Sequence, residues 1–129
     1  MLDASALLAW LQDEDGATAV GAALDDGAAI SIVNWAEALS KIAANGKDPE
    51  TLIAELSAVG VDEQRLSIQP ITEADAIAIA RLRRTTVALG LSLADRACLT
   101  LAARLGVPAV TADRAWRNAN IDAEVKLIR

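Results

Sequence analysis

Apolar residues along the chain alternate between two periods. Ser5 to Gln12 and Ala17 to Leu24 place them at helical spacing, on either side of the acidic turn Asp13-Glu14-Asp15-Gly16. Ala28 to Val33 is different: short, β-branched and bounded by Asp-Asp-Gly, it predicts a buried strand. Asn34 then opens a predicted helix to about Ala44, closed by Asn45-Gly46, and Pro49 begins another that ends near Gly60. Leu66 to Ile71 predicts a second strand. Thr72 caps a long helix with Ala76, Ile77, Ile79, Ala80 and Leu82 as its apolar positions, ending near Gly90, and Ser92 starts another that stops at Gly106. Pro108 to Thr111 predicts a strand, Arg114 to Asn118 a helical turn, and Val125 to Ile128 a last strand.

Strands alternating with helices imply βαβ units, hence an α/β fold with a mostly parallel sheet and helices on both faces. With 129 residues and no internal repeat or linker, residues 1–129 are expected to form one domain. A strand leading into Asp3 has only Met1 and Leu2 ahead of it, so it is either very short or draws on residues upstream.

Composition narrows the chemistry mainly by what it lacks. The chain has no histidine and one cysteine, which excludes Ser-His-Asp and Cys-His catalysis, His- or thiolate-ligated zinc, and an intrachain disulfide. Any metal must be held by oxygen. Cys98, inside the apolar run Ala97 to Leu105, reads as a small core residue. With no Phe or Tyr and three Trp, an aromatic platform for stacking single strands is not expected, and no phosphate-cradling glycine motif points to a nucleotide cofactor. Neither a membrane-length apolar run nor a signal peptide is evident, which makes the cytoplasm the expected compartment.

The net charge of −6 is distributed unevenly. Residues 1–64 carry 2 basic and 12 acidic groups, whereas residues 65–129 carry 10 basic and 6 acidic ones. Nine of the twelve cations are arginines, the side chain suited to bidentate phosphate contacts. Arg81, Arg83, Arg84, Arg96 and Arg114 are the candidate contacts to a polyanion, against the simpler alternative of a solvated surface.

Four acids stand at expected strand-to-helix turns: Asp3 before Ser5, Glu37 three residues after Asn34, Asp95 three after Ser92, and Asp113 before Arg114. Each has a structural explanation as an N-cap, a capping-box acid or an anion at a helix start. Thr72-Glu73-Ala74-Asp75 has the same capping grammar, so the pattern is not specific to catalysis. Together the four mean more, because in an open parallel sheet the strand-to-helix turns share one edge, where ligands bind. Carboxylates gathered there repel one another unless a divalent cation offsets their charge, and oxygen ligands suit Mg2+ or Mn2+ acting on phosphate esters.

The segments Leu2-Asp3-Ala4-Ser5-Ala6-Leu7-Leu8-Ala9, Asn34-Trp35-Ala36-Glu37-Ala38, Leu91-Ser92-Leu93-Ala94-Asp95-Arg96-Ala97-Cys98-Leu99 and Thr111-Ala112-Asp113-Arg114-Ala115-Trp116 resemble the ordered motifs of PIN-domain ribonucleases, and most closely those of VapC toxins. The resemblance spans nearly the whole chain. It implies a PIN-like three-layer sandwich with a five-stranded sheet of order 3-2-1-4-5, and metal binding by Asp3, Glu37, Asp95 and Asp113, with Ser5 and Thr111 in support. It also implies an RNA substrate, a VapB-like antitoxin and a homodimer. Asp75 would then lie at the edge strand, roughly 10 Å from the centre, as an internal control.

The expected activity is hydrolysis of RNA phosphodiesters by metal-activated water, leaving a 5′-phosphate and a 3′-hydroxyl. Two rivals remain: a non-catalytic scaffold whose acids are only caps, and a metal-dependent phosphoesterase for a small substrate.

Overall fold

Five of the six α-helices begin at a side chain that accepts a hydrogen bond from its own first turn. A computed structural model describes residues 1–129, with α1 (Ala4–Leu11), α2 (Ala17–Asp25), β1 (Ala28–Ser31), α3 (Ile32–Ala44), α4 (Pro49–Ala58), β2 (Leu66–Gln69), α5 (Glu73–Thr86), α6 (Leu93–Leu105), β3 (Ala109–Thr111) and β4 (Val125–Leu127). Short 3-10 helices cover Val87–Leu89 and Arg114–Asn118. Asp3, Ser31, Asp48, Thr72 and Ser92 are the side-chain caps of α1, α3, α4, α5 and α6. Gly106 ends α6 at φ +64°, a conformation that favours glycine.

One boundary moves in a way that affects the site. The first strand does not continue to Val33, because Ser31 accepts from the Asn34 backbone N–H at 2.9 Å and turns the chain into α3 at Ile32. Asn34 is therefore inside the helix rather than its cap. Glu37 consequently lies in the second turn of α3, not at a helix start, and has no capping function.

The strands form two parallel pairs. β1 pairs with β2 from Ala28↔Leu66 to Ser31↔Gln69, and β3 with β4 from Ala109↔Val125 to Thr111↔Leu127. Between the pairs lies Leu2, bridged in parallel to Ile30 on one side and Val110 on the other. The anticipated five strands are thus four strands and one bridging residue, because the chain bends into α1 immediately after Asp3 and the ladder stops there. Backbone bonds from Leu2 N to Ala29 O (2.7 Å), Asp3 N to Val110 O (3.0 Å) and Val110 N to Met1 O (2.8 Å) hold the junction.

Alternation along these short strands sends side chains to opposite faces. Leu2 and Ile30 join a core with Leu7, Val20, Leu24, Trp35, Ile42, Leu52 and Leu56, contributed by α1 to α4. Met1 and Ala109 join a second core with Cys98, Leu99, Leu101 and Trp116, contributed by α6 and the 3-10 turn after β3. Cys98 is fully buried, as its position implied. No helix is long and apolar enough to cross a membrane.

Asp75 is more than a distant control. Its side chain is 3% exposed, closes the capping box with Thr72 and pairs with Arg104 at 2.9 Å, tying the start of α5 to the end of α6. Burial raises its pKa, but the Thr72 hydrogen bonds and the Arg104 guanidinium outweigh that and hold it below the ordinary carboxylate value. Asn at this position keeps an acceptor for the cap and loses the charge on a charge-assisted bond, a contribution of about 1–2 kcal/mol. Asp75→Asn is expected to lower the urea unfolding midpoint accordingly, and an unchanged midpoint would show that the pair adds nothing to stability.

Candidate functional site

Asp3 is the most constrained of the four acids. It is 3% exposed and caps α1 by accepting from Ala6 N at 2.7 Å. Ser5 Oγ lies 2.9 and 2.8 Å from its two oxygens, and Thr111 Oγ1 donates to Oδ2 at 2.7 Å. Both hydroxyls also accept from the turn after β3: Ser5 from Ala112 N at 3.0 Å, Thr111 from Asp113 N at 2.9 Å. Ser5 and Thr111 are therefore cross-braces that lock the Asp113 turn to the Asp3 carboxylate.

Burial dominates the electrostatics of Asp3 and raises its pKa from 3.8 to about 6. Hydrogen bonds from Ala6, Thr111 and Ser5 offset part of that rise, while the negative charge of Asp95 adds to it. The Cys98 thiol is pushed well above its ordinary value by burial first, with Asp3 and Asp95 also contributing. Asp95 is thus close enough to influence both groups.

The other acids have individual partners. Asp95 closes the α6 capping box, accepting from Ser92 N through Oδ2 at 2.6 Å. Asp113 caps the 3-10 helix, accepting from Ala115 N through Oδ1 at 2.8 Å. Glu37 pairs with Lys41 at 2.9 Å, one turn further along α3. No three Asp, Glu or Cys side chains converge into a preassembled metal cage. That Glu37–Lys41 contact was not anticipated, although the i,i+4 spacing of an acid and a lysine is a visible signal for it.

The arginines divide into free and committed. Arg81, Arg83, Arg84 and Arg114 are exposed. Arg96 is not available for RNA: it is 6% exposed, and its guanidinium donates to the Ser92 and Ile79 carbonyls at 3.2 and 3.1 Å, fastening α6 to α5. Arg104 is taken up by Asp75.

The PIN domain family profile matches residues 1–121. The chain belongs to the PIN-domain family. No curated protein matches it in sequence. In structure, this PIN domain is similar to a chain in the crystal structure of VapBC2 from Rickettsia felis bound to a DNA fragment from their promoter, with a TM-score of 0.70 and 18% identity over 98% of this chain and 96% of that one. At that identity the likeness concerns the fold. PIN domains are generally nucleases, and those nucleases generally use divalent metal ions.

The elevated pKa of Asp3 makes this PIN domain's stability depend on pH. A carboxyl whose folded pKa exceeds its unfolded one stabilises the fold when protonated, and that contribution is lost as pH rises through about 6. From 3.8 to about 6 the difference corresponds to about 3 kcal/mol. In EDTA, urea unfolding should show Asp3 favouring the fold increasingly from about pH 7 to about pH 4. Asp3→Asn should remove that component, and identical pH profiles for parent and variant would refute it. The profile is the informative quantity, because an Asn amide cannot accept from Thr111 and Ser5 as both carboxylate oxygens do, which alters absolute stability separately.

Proposed function

We propose that this PIN domain is a divalent-metal-dependent endoribonuclease and the toxin of a type II toxin–antitoxin pair. The observation that carries it is a buried carboxylate, Asp3, braced by two hydroxyls and strained first by burial and, to a lesser degree, by the neighbouring charge of Asp95. A cation offsets such strain directly. The donor set fits Mg2+ or Mn2+, which take oxygen ligands; Mg2+ in particular often keeps several waters and engages only one or two carboxylates, so a preassembled cage is not required.

In this mechanism Asp3, Glu37, Asp95 and Asp113 hold the ion, directly or through water. Bound there, the ion supplies activation of water and offsets charge developing on the phosphodiester. Ser5 and Thr111 fix the orientation of Asp3 and brace the turn that carries Asp113. Lys41 holds only one oxygen of Glu37, and exchanging it for the ion is inexpensive because the pair is partly exposed. The exposed Arg81, Arg83, Arg84 and Arg114 are the proposed phosphate contacts in the second half of the chain.

RNA specificity, a VapB-like antitoxin and a homodimer come from the family resemblance; the VapBC2 fold likeness supports the antitoxin alone. If Leu2 counts as a residual strand, the sheet order is the 3-2-1-4-5 of that resemblance. A scaffold function is favoured by one observation, that Asp95 and Asp113 are seen capping. Asn substitution separates the two, since Asn caps about as well as Asp. Asp3→Asn, Asp95→Asn and Asp113→Asn should each reduce Mn2+-dependent RNA cleavage by orders of magnitude and shrink the thermal stabilisation that Mn2+ confers. Full cleavage by Asp3→Asn or Asp95→Asn at saturating Mn2+ would falsify the four-carboxylate site.

The toxin assignment makes a separate demand. Expression of the chain alone should arrest growth, and co-expression with a small reading frame adjacent to its gene should restore it. Normal growth with soluble, folded protein accumulating would exclude toxicity.

A further inference from the structure

A polar cleft of about 400 Å3 opens beside the acids, between α1 and α3. Its polar lining is Ser5, Gln12, Glu14, Lys41, Asn45 and Arg129. Two of its residues connect directly to the proposed site: Ser5 donates to the Asp3 carboxylate, and Lys41 is the cation on Glu37. The acidic first half of the chain has only two cations, Lys41 and Lys47. Lys47 pairs with Glu55, whereas Lys41 faces this cleft.

Both cations of the cleft are accessible and weakly held. The side chain of Lys41 is 51% exposed and that of Arg129 is 37% exposed; Arg129 pairs with Glu14 at 2.6 Å. Exposed ion pairs of this kind exchange readily for a stronger anion, and a phosphate accepts a bidentate guanidinium contact. The position of Arg129 is nevertheless set by the fold. Ile128 N donates to Thr111 O at 3.0 Å, and Arg129 also reaches Asp15 O at 3.3 Å. Gly16, at φ +95°, lies so close that a Cβ there would be 2.8 Å from Ile128. No aromatic side chain lines the cleft, while Gln12 and Asn45 provide amide donors, so its chemistry suits phosphate and sugar oxygens rather than bases.

We propose that this cleft is a subsite for the RNA backbone adjacent to the scissile bond, with Lys41 and Arg129 as its phosphate contacts. It rests on the nuclease function proposed above. Lys41 then has two partners in turn: Glu37 in the free protein, and a phosphate once Glu37 is drawn toward the metal.

The test compares Lys41→Gln, Arg129→Gln and the double variant with Lys41→Arg as conservative rescue and Lys47→Gln as a surface control. With Mn2+ and a single-stranded RNA, each loss should raise KM roughly tenfold with kcat within about twofold. The salt dependence of kcat/KM should flatten by about 0.7 unit of slope per contact, and the double variant by about 1.4. Fluorescence anisotropy of labelled RNA in EDTA should show the flattening for Arg129→Gln without turnover, and little of it for Lys41→Gln, because without metal Lys41 stays on Glu37. Lys41→Arg should retain the parent slope, and Lys47→Gln should leave it unchanged. Unaltered KM and slope in the double variant, with the parent cleaving RNA, would overturn the subsite alone. A fall in kcat without a change in KM would also overturn it, by assigning Lys41 to the acids only. A parent that cleaves no RNA with Mn2+ would remove the nuclease function and the subsite with it.

Discussion

The structure depends on a junction three residues long. β1–β2 and β3–β4 are separate pairs, and the bridges from Leu2 to Ile30 and Val110 connect them as one sheet. The same backbone bonds that make the connection end at Asp3, whose N–H is held by Val110 O. The carboxylate is therefore placed by the ladder itself, and its burial follows from lying where the two sheet halves meet. Leu2 and Ile30, both fully buried, anchor that position from below through the larger core.

Burial at a junction has an electrostatic consequence. A carboxylate there loses water, and its hydrogen bonds offset only part of the loss, so the pKa remains raised. Ser5 and Thr111 could have been replaced by apolar residues with a simpler packing problem, yet each donates to Asp3 and accepts from the following turn. They maintain an ionisable group where an apolar contact would be more stable, the kind of local conflict expected at functional sites. The cations show the converse. Arg96 and Arg104 satisfy carbonyl and carboxylate groups between α5 and α6, which removes them from any role in attracting a polyanion.

Element order was legible because the apolar periodicity and the caps agree. Thr72, Ser92 and Gly106 act where their side-chain chemistry indicates, and the capping boxes at Asp75 and Asp95 form as their spacing suggests. Failures occurred where two local rules compete. Ser31 ends β1 and starts α3, although Ile32 and Val33 extend a β-branched run, because a serine cap two residues earlier outcompetes strand propensity. Arg96 has the side chain of a phosphate contact, but its fate is decided by the Ile79 carbonyl on a helix seventeen residues away, which one-dimensional patterning does not contain. The Asp3 network is invisible for the same reason: Thr111 and Ser5 are 106 positions apart in the chain.

Capping and metal binding need not exclude each other at Asp95 and Asp113. A carboxylate has two oxygens, and in each case one of them makes the cap: Oδ2 of Asp95 to Ser92 N, and Oδ1 of Asp113 to Ala115 N. The second oxygen of each makes no hydrogen bond to the protein, so its lone pairs remain for water or an ion. The cap then serves as the positioning device, holding the side chain at a helix start with one oxygen left unbonded. Asp75 shows the contrasting arrangement: both of its oxygens are committed, Oδ2 to Thr72 and Oδ1 to Arg104, and it is buried. The same capping grammar thus gives a closed structural acid at α5 and an open one at α6. What distinguishes them is whether a cation of the protein already occupies the second oxygen.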